Sequence, residues 1–305
     1  MAFSSPLTAL KALTLVADDT TVLTWPALVT STFPVAAHAP ASWLLLDPKG
    51  QDQSVLLAGA GATRTFTPLI HSGDWWLLAF DLSGSIIYSH RVQLGDSEGW
   101  MIFPDWDDAS WGWWTKLDAV PPVVGWVPLI TARSGKTITI GSQSYTVSTD
   151  MDILYQPLSI PIGLNMETEV YRSAISGNDD TSIAWLGATS DATNPAFVAI
   201  GHGIAQTTAG TQTGMYFKDA SSGNVGGANA TVRRQRAAWA FDSNNRSPSS
   251  IFQTLTDAGT YFSVTALGHG GLGFHVVRDF ALWVGRVTAD GSSYTFEVTA
   301  RLKVS

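Results

Sequence analysis

The sequence predicts an all-β protein of two sandwiches in tandem, a smaller one followed by a larger one. Three observations predict it. Alternating or β-branched runs recur about every ten residues, separated by Gly, Asn, Asp, Ser and Pro, the cadence of sandwiches and barrels. Helical periodicity is confined to residues 6–16, where Leu7, Leu10 and Leu13 or Leu15 can share one side over a turn or two. At 305 residues the chain exceeds the usual size of a single hydrophobic core.

The elements follow in order. Residues 1–17 are an N-terminal segment. In 18–95, "TTVLTW" and "ASWLLLD" read as strands, and "DPKGQ" as a turn set by Pro48 and Gly50. "SVLLAG" and "TRTFTPL" read as two further strands around the glycine-rich "AGAGA". "GDWWLLAFDLSGSIIYSHRVQLG" is a hairpin: Trp76, Leu78 and Phe80 alternate with Trp75, Leu77 and Ala79, and Asp81–Gly84 turns the chain.

That hairpin resembles the last two strands of immunoglobulin-like and fibronectin-type-III-like modules, although the Cys–Trp–Cys signature of antibody domains is missing. The resemblance implies a module that spaces or docks and does not catalyse.

Residues 96–130 read as a Trp- and Pro-rich strap or linker. Over 131–305 the strand cadence resumes. "KTITIG" and "QSYTVST" predict a hairpin around Gly141–Ser142, and eight to ten strands in all suit a sandwich of jelly-roll or concanavalin-like type.

Composition bounds the function. Hydrophobic residues make up 45% and charged ones 14%, so the chain can bury a core, and its shortage of charge predicts a surface partly covered by neighbouring subunits. A net charge of −8 argues against a nucleic-acid partner, which needs clustered Lys and Arg. With no Cys, disulfides, thiolate zinc sites and cysteine nucleophiles are excluded. The N-terminal stretch lacks a basic region ahead of an apolar run, and Lys11 interrupts it, so no signal peptide is expected. No run approaches the roughly 18 apolar residues of a membrane helix, so no membrane insertion is expected.

Short motifs add little chemistry. "GHGGLG" (268–273) matches a dinucleotide fingerprint, but the β-branched and aromatic run after it predicts a strand where that fingerprint needs a helix. "SGKT" (134–137) lacks the first glycine of a phosphate loop, Ile130 standing there, and reads as a two-residue turn. His202, His269 and His275 have no carboxylate at a coordinating offset, and the acidic turns 104–110 and 176–182 fit no calcium-loop spacing. No metal, no cofactor and no catalytic residue is expected.

Two clusters remain. Trp100, Trp106, Trp111, Trp113, Trp114 and Trp126 lie beside Asp105, Asp107 and Asp108. They read first as a strap between domains or subunits, because indoles bury large apolar area at interfaces. They read second as a carbohydrate platform of exposed rings, and third as a glycosidase carboxylate pair. Arg233, Arg234 and Arg236 form the only basic cluster, with Arg234 and Arg236 on one strand face. They are read as pairing with carboxylates of this chain or a neighbouring subunit, and alternatively as an anion or acidic-partner site.

By composition and architecture the chain resembles structural proteins of tailed-bacteriophage particles, of the head-fibre, decoration or tail-fibre kind. That resemblance implies a non-enzymatic homo-oligomer, located in the virion after assembly in the host cytoplasm. Its partners would be its own copies, other virion proteins and, for a displayed domain, a host-surface glycan. The alternative is a lectin-like carbohydrate-binding module.

Overall fold

The computed structural model describes residues 15–35, 39–69, 71–114, 129–142, 152–161, 164–173, 182–189, 199–207, 210–217, 232–241, 248–256, 261–268, 276–286 and 291–305. The chain divides into a first unit, Met1–Ile102 with Lys303–Ser305, and a second, Phe103–Leu302.

The first unit is a small immunoglobulin-like sandwich. Its strands are β1 (Asp19–Leu23), β2 (Val29–Thr32), β3 (Ser42–Leu46), β4 (Thr63–Phe66), β5 (Gly73–Phe80), β6 (Ile86–Leu94) and the short β7 (Met101–Ile102). One sheet runs β1-β6-β5-β3 and the other pairs β2 with β4. β1 lies parallel to β6; the β3–β5, β5–β6 and β2–β4 pairs are antiparallel. Ser89 anchors the parallel strand, donating from its backbone to Asp18 Oδ2 (2.8 Å) and from its hydroxyl to the Val16 carbonyl (2.8 Å).

The β5–β6 hairpin turns where the sequence predicts. Asp81 Oδ1 accepts from the Ser83 and Ser85 backbones at 2.8 and 2.9 Å, and Gly84 takes φ +80°. The Ser83 hydroxyl, donating to the same carboxylate, holds Asp81 below its ordinary pKa. Tyr88 on β6 packs edge-on against Phe33 and Trp43, and its hydroxyl meets Ser31 Oγ on β2 at 3.2 Å, joining the two sheets. One strand is corrected. "SVLLAG" instead makes a 3₁₀ turn at Ser54–Leu56, because Asp52 Oδ1 accepts from the Ser54 backbone and Ser54 Oγ accepts from the Leu45 backbone.

The second unit is the larger sandwich. Its strands are β8 (Gly112–Trp114), β9 (Ile130–Ser134), β10 (Thr137–Ile140), β11 (Asp152–Pro161), β12 (Asn165–Arg172), β13 (Ser182–Thr189), β14 (Ala199–Thr207), β15 (Gly210–Phe217), β16 (Val232–Phe241), β17 (Pro248–Thr256), β18 (Tyr261–Gly268), β19 (Val276–Arg286) and β20 (Tyr294–Val304). One sheet follows the order β18-β17-β16-β12-β20-β10-β9 and the other β15-β14-β13-β19-β11-β8. This is the jelly-roll or concanavalin-like layering the strand cadence predicts. Against the eight to ten strands expected over 131–305, twelve are described, β9 to β20; β11 and β17 are not read as strands from the sequence, and in β11 Pro157 breaks the strand pattern and sits at a register shift against β19. β10 pairs with β9 and β20, and its turn with β9 is Gly135–Lys136, the "SGKT" turn. The expected partner strand at 143–149 lies outside the described residues.

The Trp-rich stretch is not a linker where it is described. Residues 96–102 belong to the first unit and 103–114 to the second. Phe103, Trp106, Trp111 and Phe280 form one aromatic cluster: Trp106 and Trp111 are 4.8 Å apart by ring centroid, and Phe103 lies 5.9 Å from Trp111 and 5.7 Å from Phe280. Trp106 is fully buried and donates Nε1–H to the Val298 carbonyl at 2.7 Å. Gly112 allows β8 to pair with β11, since the Tyr155 ring lies over it and a Cβ there would fall 1.9 Å from that ring.

Asp152, at the start of β11, is fully buried; its Oδ2 accepts from the Ile130 backbone at 2.6 Å, and burial pushes its pKa up to about 7.

Trp106→Ala should lower unfolding free energy by about 3–5 kcal/mol in chemical denaturation, the cost of a large core cavity; a loss below about 1 kcal/mol would place the ring outside the core. Because folding raises the Asp152 pKa, the native state holds the proton more tightly, so stability falls as pH rises from about 4 through about 7. Melting temperature should therefore drop between pH 5 and pH 8 in the wild type, with a smaller drop in Asp152→Asn; equal drops would contradict this assignment.

Candidate functional site

Alternation along β12 sorts its side chains. Met166, Thr168, Val170 and Arg172 are all buried on the inward face, which turns Glu167, Glu169 and Tyr171 to the outer face. β16 alternates in the same way: Gln235 and Ala237 are buried, with Arg234 and Arg236 opposite them. On β20, Val298, Ala300 and Leu302 face inward and Arg301 outward.

These outer residues converge. Glu169 and Arg236 are direct cross-strand partners between β12 and β16. Arg301 grips Glu169 with two donors, Nε to Oε1 at 2.9 Å and Nη2 to Oε2 at 3.1 Å, while Arg236 Nη2 reaches Oε2 at 3.2 Å. Arg234 stands further off, with Nε 3.7 Å from Oε1, and its guanidinium lies 5.7 Å from the Tyr171 ring centroid. The Glu169 side chain is only 6% exposed although it faces outward, because the guanidinium groups cover it. A carboxylate so desolvated is tolerated when opposite charges and hydrogen bonds replace its water. Three guanidinium groups surround Glu169, and Glu167 stands two positions along the same face.

The basic cluster thus pairs with a carboxylate of its own chain through Arg234 and Arg236. The Arg233 side chain lies outside the described ones. Sequence reading missed Glu169 and Arg301. The available signal was the alternating "ETE" of β12, which puts acids on the face that arginines at i and i+2 of a neighbouring strand would share.

Trp100, Trp106 and Trp111 are 2%, 0% and 6% exposed within this chain, so these three offer no open ring to a sugar. The side chains of Trp113 and Trp114, and all of Trp126, lie outside the described residues. The acids beside them hold local structure. Asp105 pairs with Lys136 at 3.0 Å, Asp107 Oδ2 accepts from the Gly135 backbone at 3.0 Å, and Asp108 Oδ1 accepts from the Ser110 backbone at 2.7 Å. Hydrogen bonding from Ser110 lowers the Asp108 pKa. A glycosidase acid needs the reverse, a carboxyl raised by an apolar setting and open to substrate. Asp152 is raised, but it is enclosed in the core. Among the described residues no three His, Asp or Glu side chains converge as metal ligands, and no helix is long and apolar enough to cross a membrane.

No protein-family model matches this chain, and no curated protein matches it in sequence. Among solved structures it is similar to a seed lectin of Lotus tetragonolobus, at 11% identity and TM-score 0.35 over 67% of this chain and 98% of that one. It is also similar to peanut lectin (11% identity, TM-score 0.39, 68% and 97%) and to the exoplasmic/lumenal domain of VIP36 in its Ca²⁺/Man₃GlcNAc-bound form (9%, 0.39, 68% and 89%).

Proposed function

We propose that this chain is a non-enzymatic binding protein whose larger sandwich recognises carbohydrate on the outer face around Glu169. One observation carries the reading. An aromatic ring, Tyr171, stands on the same sheet face as two arginine forks oriented by a shared carboxylate and a third, Arg234, beside the ring. Saccharides are bound by aromatic faces that cover their C–H surfaces and by fixed polar groups that meet their hydroxyls. Rigid strands hold such groups more precisely than loops do.

A second reading, an oligomeric component of a viral particle, draws on the first unit. Leu82, Val35 and Ile87 are 98%, 51% and 37% exposed and rim an apolar cavity of about 700 Å³ together with Phe33, Ala39 and Ala41. A patch of this kind fits a second copy of the chain.

A glycan array probed with the full chain should return saccharide binders, and Tyr171→Ala should weaken the best by about tenfold or more while the melting temperature holds. Absence of any saccharide binding would contradict the reading. The second reading predicts an oligomer in light scattering that Leu82→Asp dissociates; a monomer across the micromolar range would contradict it.

A further inference from the structure

We propose that the saccharide bound here carries an anionic group, a carboxylate or a sulfate, and that Arg234 is the residue that meets it. The inference rests on the carbohydrate-binding reading and narrows its ligand class.

The three arginines are not equivalent. Arg301 and Arg236 hydrogen-bond Glu169, and their side chains are 27% and 21% exposed. Arg234 is 44% exposed, and at 3.7 Å it stands beyond hydrogen-bond reach of that carboxylate. Its guanidinium rests near the Tyr171 ring. Glu169 therefore fixes two forks, and the third is held over an aromatic ring with donors open to solvent.

A planar carboxylate or a sulfate fits the paired donors of a guanidinium edge, a geometry that a lysine ammonium does not offer. Tyr171 would then cover the sugar ring that bears the anion, so one saccharide unit would meet both residues.

The test compares four probes on the full chain by calorimetry at fixed low salt: an oligogalacturonate, its fully methyl-esterified form, a sulfated oligosaccharide and sodium sulfate. The proposal expects the free acid or the sulfated chain to bind at least about tenfold more tightly than the methyl ester, which keeps the sugar and removes the charge. Arg234→Gln should erase most of that difference. Arg234→Lys, which keeps the charge and loses the fork, should recover only part of it. Melting curves should stay close to wild type, since Arg234 is 44% exposed and its 3.7 Å ion pair with Glu169 is screened by solvent. Whether carboxylate or sulfate binds more tightly identifies the source of the anion.

Equal affinity for the acid and its ester, or an Arg234→Gln variant that keeps the preference, would overturn the anion proposal while leaving carbohydrate binding intact. Sulfate ion binding as tightly as the oligosaccharides would overturn the saccharide part. If no oligosaccharide binds here or on the array, the underlying reading fails as well.

Discussion

A carboxylate on an outer sheet face yet almost wholly shielded from water is the constraint on which this account turns. Glu169 is desolvated because arginines cover it, and the arginines are ordered because Glu169 gathers them. Three adjacent strands, β16, β12 and β20, are cross-linked by this exchange on the side away from the core. Two of the guanidinium groups are committed to the carboxylate, and the arrangement decides which donors remain for a ligand. The Tyr171 ring beside Arg234 adds an apolar surface to the same place.

The indoles serve a different purpose. A tryptophan buries a large apolar area and has one donor to satisfy. Trp106 satisfies both demands inside the second unit, enclosed by Trp111 and donating to Val298 on β20. Trp100 is likewise buried in the first unit, where Lys303 Nζ lies 6.0 Å from its ring. Density of tryptophan in a short stretch here goes with core closure, and the proposed recognition face lies on β12, β16 and β20, apart from it. The nearby acids complete the same closure: Asp105, Asp107 and Asp108 tie the turn after Phe103 to the β9–β10 hairpin and to itself.

Much of the fold was legible in the sequence because its signals are local. The β5–β6 hairpin shows apolar arms and an Asp–Ser–Gly turn between them, β20 shows a period-2 pattern, and β19 shows a continuous apolar run of strand length. β11 was hidden by Pro157 and Pro161, and β8 by a glycine whose reason, the Tyr155 ring above it, comes from a partner strand 43 positions away in the chain. The site was half legible. Arg234 and Arg236 were visible as a pair on one face. Their partner was not, since nothing local distinguishes Glu169 from Glu167 two positions earlier, and Arg301 comes from a strand 132 residues downstream of Glu169. What encloses the tryptophans was not legible for the same reason: Phe280, against Phe103, and Val298, the acceptor for Trp106, lie far along the chain.

The most direct test is a double-mutant cycle on unfolding free energy using Glu169→Gln, Arg301→Gln and the double variant. If Glu169 is the shielded anchor of the guanidinium groups, the single changes should be strongly non-additive, with a coupling of about 1.5 kcal/mol or more. Additivity to within about 0.5 kcal/mol would mean that the two side chains act independently in solvent, and the fixed arrangement of arginines would not exist.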